Sequence, residues 1–203
     1  MMQSLKRSLN RHLNILTGIA IEPTNDCNMD CWFCHRKERK IGYMNFSSFK
    51  RIIDQIPIRV GLCLSYGGES ILHPQFPDMV DYATKKGFKR IVVDSNGLKP
   101  YPLGVHVIVY PKPPPIIFTK DQKFQTPHNL KPVYSGCYSL HSYMAVLWNG
   151  DVVPCCHCVS GNRVVGNVFE SSLSEVWHSR EYRTLRELGH CPGCELYKYD
   201  LVI

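Results

Sequence analysis

No apolar stretch in this 203-residue chain reaches the length a membrane span requires. The stretch ILTGIAI, residues 15–21, is seven residues long, against the roughly 20 that a transmembrane helix needs. It is also short for the apolar region of a secretion signal. Acidic residues are absent before Glu22, and Leu5, Leu9 and Leu13 recur every four positions. Residues 1–14 therefore read as a basic segment able to form a short amphipathic helix, a pattern an organelle-targeting peptide would share. Lys and Arg form no continuous run, and the net charge of +7 is scattered. That argues against a nucleic-acid stripe and for a solvated surface. A hydrophobic content of 44% makes disorder an unsuitable default. The expectation is a cytoplasmic protein with neither a membrane nor a nucleic acid as partner.

Against these absences stand ten cysteines: Cys27, Cys31, Cys34, Cys63, Cys137, Cys155, Cys156, Cys158, Cys191 and Cys194. Nine of them fall in two groups, and only Cys63 stands apart. Close spacing without an export signal favours metal or iron–sulfur ligation over disulfides. The first group, Cys27, Cys31 and Cys34, has the spacing C-x3-C-x2-C. Three thiolates suit a four-iron, four-sulfur cube with one iron left open. A zinc site completed by His35 is the alternative, but adjacent ligands such as Cys34 and His35 rarely converge on one tetrahedral ion.

Between the two groups the chain alternates strand and helix patterns. Apolar runs at 15–23, 59–66, 88–94 and 104–110 read as strands. Residues 45–56 place Phe46, Phe49, Ile52, Ile53 and Ile56 on one helical face, with Asn45 or Ser47 as cap. A second helix, 76–87, is stopped by Gly87. This order implies a parallel sheet with right-handed crossovers, whose ligands gather at the carboxyl ends of the strands. Three polar or ligating motifs follow strand ends: the cysteine loop, YGGES (66–70) and SNG (95–97).

The cysteine spacing, with Phe33 before the third cysteine and Gly67-Gly68-Glu69 one strand later, resembles the radical S-adenosylmethionine (SAM) enzymes. The resemblance implies that Cys27, Cys31 and Cys34 hold a [4Fe-4S] cluster whose open iron chelates SAM. It further implies that Gly67, Gly68 and Glu69 receive the methionine ammonium, that Phe33 lies near the adenine, and that Ser95 and Asn96 touch SAM. Read alone, Gly-Gly is a turn, Glu69 a surface acid and Ser-Asn-Gly a plain turn.

The C-terminal third carries the second group. Asn149-Gly150 turns a hairpin between YMAVLW and DVVPCC. Ser172 and Glu175 fit a capping box, with Leu173, Val176 and Trp177 as the apolar face. This stretch resembles the SPASM or twitch extension that binds auxiliary clusters. With nine residues after Cys194 and no further cysteine, the resemblance implies one auxiliary [4Fe-4S] cluster on Cys137, Cys155, Cys191 and Cys194. Cys156 or Cys158 could replace Cys155, and a four-cysteine zinc site is the alternative.

The expected fold class is α/β: a truncated, partial (β/α) radical SAM barrel with a small β-hairpin plus helix extension. Its expected divisions are a basic segment (1–14), a core (15–122), a linker (123–136) and an auxiliary-cluster domain (137–203). Only 102 residues separate Cys34 from Cys137, and LKPYPLG and PKPPP leave no room for full helices. The barrel should have four or five strands, with IIFTK (116–120) as a candidate fifth. A homodimer, a partner protein or a bulky substrate would then complete it. The implied partners are a flavodoxin or ferredoxin and a peptide or small-molecule substrate. The alternative function is a non-catalytic iron–sulfur or zinc protein on a degenerate barrel.

Overall fold

The computed structural model describes residues 14–31, 34–109 and 137–192. Phe33, Cys194, the N-terminal leucine repeat, IIFTK and the 123–136 linker lie outside the described residues.

Strands form where apolar, β-branched runs occur. They are β1 (Gly18–Ile21), β2 (Gly61–Cys63), β3 (Ile91–Ser95) and β4 (Val105–Val109), followed by β5 (Tyr143–Val146), β6 (Asp151–Val153) and β7 (Gly166–Asn167). Helix α1 (Phe46–Ile53) begins at Asn45, whose side chain accepts the Ser47 N–H at 2.8 Å. Helix α2 (Phe76–Lys85) ends before Gly87, which takes φ +102°, a conformation that suits glycine. The predicted capping box opens α3 (Leu173–Trp177), with the Ser172 and Glu175 bonds both formed. Helix α4 (Arg180–Leu188) closes on Gly189 at φ +72°.

The strands lie in one sheet, in the order β4-β3-β2-β1-β5-β6-β7. β1 to β4 are parallel, as the alternating pattern implied. The hairpin is not a separate appendage. Its first strand, β5, pairs parallel with β1, so the fifth parallel strand comes from the C-terminal third. The turn at Asn149-Gly150 then brings β6 back antiparallel. The structure thus closes the inner edge of the truncated barrel with a piece of the auxiliary-cluster region.

Alternation gives the sheet two chemically different faces. Ile19, Ile21, Leu62, Leu64, Ile91, Val93, Met144 and Val146 are buried in one core with Phe49 and Ile52 of α1, Phe76 and Met79 of α2, and Trp177 and Tyr182. The opposite face carries small and polar residues. Ala20 and Ala145 are in register on β1 and β5, and Cys63 and Val92 continue their row. Gly18 is required there, because a Cβ would lie 2.9 Å from the Tyr143 ring. On this second face Leu147, Val153, Tyr66, Tyr143 and Cys158 pack with Ala20 and Ala145.

Candidate functional site

The cysteine loop leaves the carboxyl end of β1 and is held by a network of local hydrogen bonds. Asn25 donates to the Lys40 carbonyl and accepts from the Gly42 N–H, at 2.9 and 2.8 Å. Thr24 donates to the Gly42 carbonyl and accepts from the Asp26 N–H. Arg36 is 8% exposed and donates to the Met29 carbonyl at 2.7 Å. The loop's shape is therefore set by buried polar residues, each with a partner.

Within that frame, Cys27, Cys31 and Cys34 are each partly exposed. The Cys34 N–H donates to the Cys31 carbonyl at 3.1 Å. Burial raises the Cys31 thiol, and the charges of Cys34 and Cys27 raise it further. Three thiolates gathered this way repel one another, and a cationic iron–sulfur core relieves that repulsion. The Cys27 sulfur already accepts the Met29 N–H at 3.4 Å and lies 3.8 Å from the Asn96 side-chain nitrogen. Such donors are the environment in which cluster sulfurs are stabilised. Among the described residues no three His, Cys, Asp or Glu side chains gather as one metal ion would need. A cube gives each thiolate its own iron and does not require that convergence.

The second and third motifs meet the loop directly. The Glu69 N–H donates to the Asp26 carbonyl at 2.7 Å. A Cβ on Gly68 would abut the Thr24 carbonyl and sit 2.6 Å from the Asp26 oxygen. Only glycine permits that approach. The Gly67 N–H donates to Glu22, a fully buried acid that Arg39 grips with two bonds of 2.8 and 2.6 Å. Glu69 is 3% exposed. It accepts from the Ser95 hydroxyl and the Asn96 N–H, both at 2.9 Å, and from the Tyr101 hydroxyl. Asn96 also donates to Asn28 of the cysteine loop at 2.8 Å. The three motifs predicted to share one rim are in contact there.

Sequence reading missed several members of this rim. Tyr101 lies in LKPYPLG, where the prolines drew attention to the backbone alone. Glu22 carried a usable signal, an acid placed at the end of an apolar strand. Tyr66 was quoted only as the residue before the glycines. Its hydroxyl donates to the carbonyls of Cys155 and Cys158 at 3.1 and 2.7 Å, and Arg39 lies over its ring at 5.8 Å.

The three cysteines that follow the hairpin point to different neighbourhoods. Cys155 is 8% exposed; burial, then the nearby thiolates of Cys156, Cys137 and Cys191, raises its thiol. Tyr182, fully buried, feels Cys155, Cys191 and Cys137 together. The Cys137 N–H donates to the Gly189 carbonyl at 2.6 Å, beside the turn that leads to Cys191. Cys156 is influenced by Asp94 and Cys137. The Cys158 sulfur is 3.4 Å from the Asn162 side-chain oxygen, and its charge reaches Arg39 and Tyr66.

A mixed, mostly parallel α/β sheet with a three-cysteine loop, a glycine-glycine-glutamate turn and a second cysteine group defines an iron–sulfur protein of the partial-barrel class. The radical SAM superfamily matches residues 21–106, and the SPASM iron–sulfur cluster-binding domain matches residues 137–195. The chain belongs to the radical SAM proteins with a SPASM domain. The first domain implies a [4Fe-4S] cluster and SAM, and the second implies auxiliary iron–sulfur chemistry.

Among curated proteins, the chain is 33% identical over 81 residues to the antilisterial bacteriocin subtilosin biosynthesis protein AlbA of Bacillus subtilis (strain 168). That match covers 38% of this chain and spans only 18% of AlbA. Among solved structures, BtrN in an open conformation superposes with a TM-score of 0.68 at 20% identity, covering 89% of this chain and 91% of BtrN. Streptococcus suis SuiB bound to S-adenosylmethionine gives 0.63 at 13% identity, covering 91% of this chain and 70% of SuiB. At these identities the likeness is one of fold. Among the described residues no helix is long and apolar enough to cross a membrane.

Proposed function

We propose that the chain is a radical SAM enzyme that modifies a peptide. The observation that carries this reading is the contact of three motifs at one rim: the cysteine loop, Gly67-Gly68-Glu69 and Ser95-Asn96. When bound, a [4Fe-4S] cluster would supply the one-electron reducing chemistry for reductive cleavage of SAM. Cys27, Cys31 and Cys34 would hold that cluster. The backbone of Gly67 and Gly68 would admit the methionine end of SAM, and the Glu69 carboxylate would face its ammonium. Ser95 and Asn96 orient Glu69 through their hydrogen bonds. Phe33 would lie near the adenine. A flavodoxin or ferredoxin would deliver the electron.

Cys137, Cys155, Cys191 and Cys194 would hold one auxiliary [4Fe-4S] cluster. Burial beside Cys137 and Cys191 favours Cys155 over its two neighbours. Four thiolates leave no open iron, so the auxiliary centre would move electrons and would not bind substrate. A peptide substrate is supported by the partial likeness to AlbA, which is named for the biosynthesis of a bacteriocin.

The test is anaerobic reconstitution followed by dithionite reduction with SAM. The expected result is about eight irons per chain, four for each cluster, together with 5′-deoxyadenosine that the Cys27, Cys31 and Cys34 triple alanine variant does not form. Stoichiometric zinc without iron uptake, or 5′-deoxyadenosine no higher than in that variant, would sink the reading.

A further inference from the structure

The rim contains a second carboxylate that the SAM motifs do not use. Asp94 is the last but one residue of β3, next to Ser95, and alternation places it on the face opposite the core residue Val93. Its row is set by register. Asp94 pairs with Ile108 on β4, and Ser65 and Glu22 follow at the ends of β2 and β1. Two other acids at this rim already have partners within the protein. Glu22 has the Arg39 guanidinium, and Glu69 has Ser95, Asn96 and Tyr101.

Asp94 is different. Its Oδ2 accepts from the Ser65 hydroxyl at 3.3 Å and lies 3.9 Å from the Cys63 sulfur. Among the described residues its Oδ1 accepts no side-chain or backbone donor, and no Lys or Arg pairs with it. Ser65 is spoken for as well, since it also accepts the Asp94 N–H at 2.9 Å and contacts Cys63 at 3.1 Å. The walls supply no compensating charge. Burial pushes the Cys63 thiol up to about 11, with Asp94 adding to the shift, and it raises the Tyr143 hydroxyl too. Both therefore stay neutral at ordinary pH. Among the described residues this half-buried carboxylate keeps a vacant acceptor beside neutral neighbours, and a cationic donor would satisfy it.

We propose that Asp94, set by Ser65 and Cys63, is the substrate-recognition subsite, and that it takes a cationic side chain, an ammonium or guanidinium, presented at the rim where the strands end. This rests on the reading of the chain as a peptide-modifying radical SAM enzyme and adds the residue class the peptide must present. Cys63, the cysteine outside both ligand groups, then serves as a neutral wall of the subsite.

The test uses the reconstituted holoprotein under anaerobic conditions and two fluorescent probes. Dansylcadaverine carries a primary ammonium, and N-acetyl-dansylcadaverine is its neutral counterpart. The cationic probe should bind about tenfold or more tightly than the neutral one, the worth of one charge-assisted hydrogen bond. Asp94→Asn should abolish that ratio, and Asp94→Glu should keep part of it. Equal binding of the two probes by the unmodified protein overturns the proposal. So does a preference that survives Asp94→Asn. The comparison of probes in the unmodified protein decides the matter even if a variant does not fold. Measuring 5′-deoxyadenosine in the same preparation separates the two claims. Its formation without probe discrimination leaves the enzyme reading intact and removes the subsite.

Discussion

The hydroxyl of Tyr66 lies 2.7 Å from the carbonyl of Cys158 and 3.1 Å from that of Cys155. Tyr66 immediately precedes Gly67-Gly68-Glu69, so one side chain ties the SAM-side motif to the loop of the auxiliary cysteines. One proton is shared between two carbonyls, each of which also accepts a backbone N–H, from Cys158 at 3.3 Å for Cys155 and from Gly161 at 3.0 Å for Cys158. Tyr66→Phe should therefore cost about 0.5–1.5 kcal/mol, the net worth of one intramolecular hydrogen bond. We expect the loss to appear first at the auxiliary centre. Iron per chain after desalting should fall toward four while the SAM-dependent change in the electron paramagnetic resonance spectrum persists. Full retention of both clusters with an unchanged denaturation midpoint would show that Tyr66 does not hold the loop.

Gly68 fills a gap that has no room for a methyl group. An added Cβ would meet the Thr24 carbonyl, the Asp26 oxygen at 2.6 Å and the Asn25 carbonyl carbon at 2.7 Å. All three are backbone atoms and cannot rotate away. Gly68→Ala should push the cysteine loop and the Glu69 turn apart, leaving the three thiolates in place. SAM binding by equilibrium dialysis should weaken at least tenfold, with little change in iron content. Unaltered SAM affinity would mean that this contact does not shape the site.

His73 gives the fold a pH dependence independent of any cluster. It is 4% exposed, with Nε2 at 2.9 Å from the Met44 carbonyl and Nδ1 at 3.1 Å from the Gln75 N–H. Nδ1 thus accepts and Nε2 donates, which is the neutral ring. Burial lowers its pKa from the ordinary 6.5, and the Met44 bond only partly opposes this. The unfolded chain then binds the proton more readily than the fold does. The stabilisation is present above pH 6.5 and is lost as pH falls below it toward the folded value, at most about 1.4 kcal/mol per pH unit. Urea midpoints at pH 7.5 and 5.5 should diverge more for the wild type than for His73→Gln. Equal divergence would assign the acid sensitivity elsewhere.

Much of this architecture was legible because the local signals agreed with the global fold. Asn45, the Ser172–Glu175 box and Asn149-Gly150 each mark a boundary by their own backbone chemistry, and all three do so in the structure. Motif order placed the cysteine loop, Gly67-Gly68-Glu69 and Ser95-Asn96 at successive strand ends. The docking of β5 beside β1 was not legible. YMAV is apolar on both faces and would suit a free hairpin or a sheet interior equally well. Its pairing with a strand 125 residues earlier depends on tertiary contacts, such as that of Thr17 with the Ser142 carbonyl. Likewise, no spacing rule joins Tyr101 to Glu69 or Tyr66 to Cys155. These bonds depend on where loops cross.

The same crossing decides among Cys155, Cys156 and Cys158, which spacing alone left equivalent. Cys155 is the one of the three that is buried, within electrostatic reach of Cys137 and Cys191. Cys156 is exposed and within electrostatic reach of Asp94, and the Cys158 sulfur lies 3.4 Å from the Asn162 side-chain oxygen. A thiolate can join a cluster only if it already shares that space, because the hairpin strand preceding it is fixed in the sheet by β5 and β7. Single alanine variants should separate the three. Cys155→Ala should drop the iron content from about eight to about four per chain. Cys156→Ala and Cys158→Ala should keep both clusters. Loss of four irons in either of the latter, with Cys155→Ala fully loaded, would move the ligand by one or three residues. It would also mean that the loop under Tyr66 turns over when iron is bound.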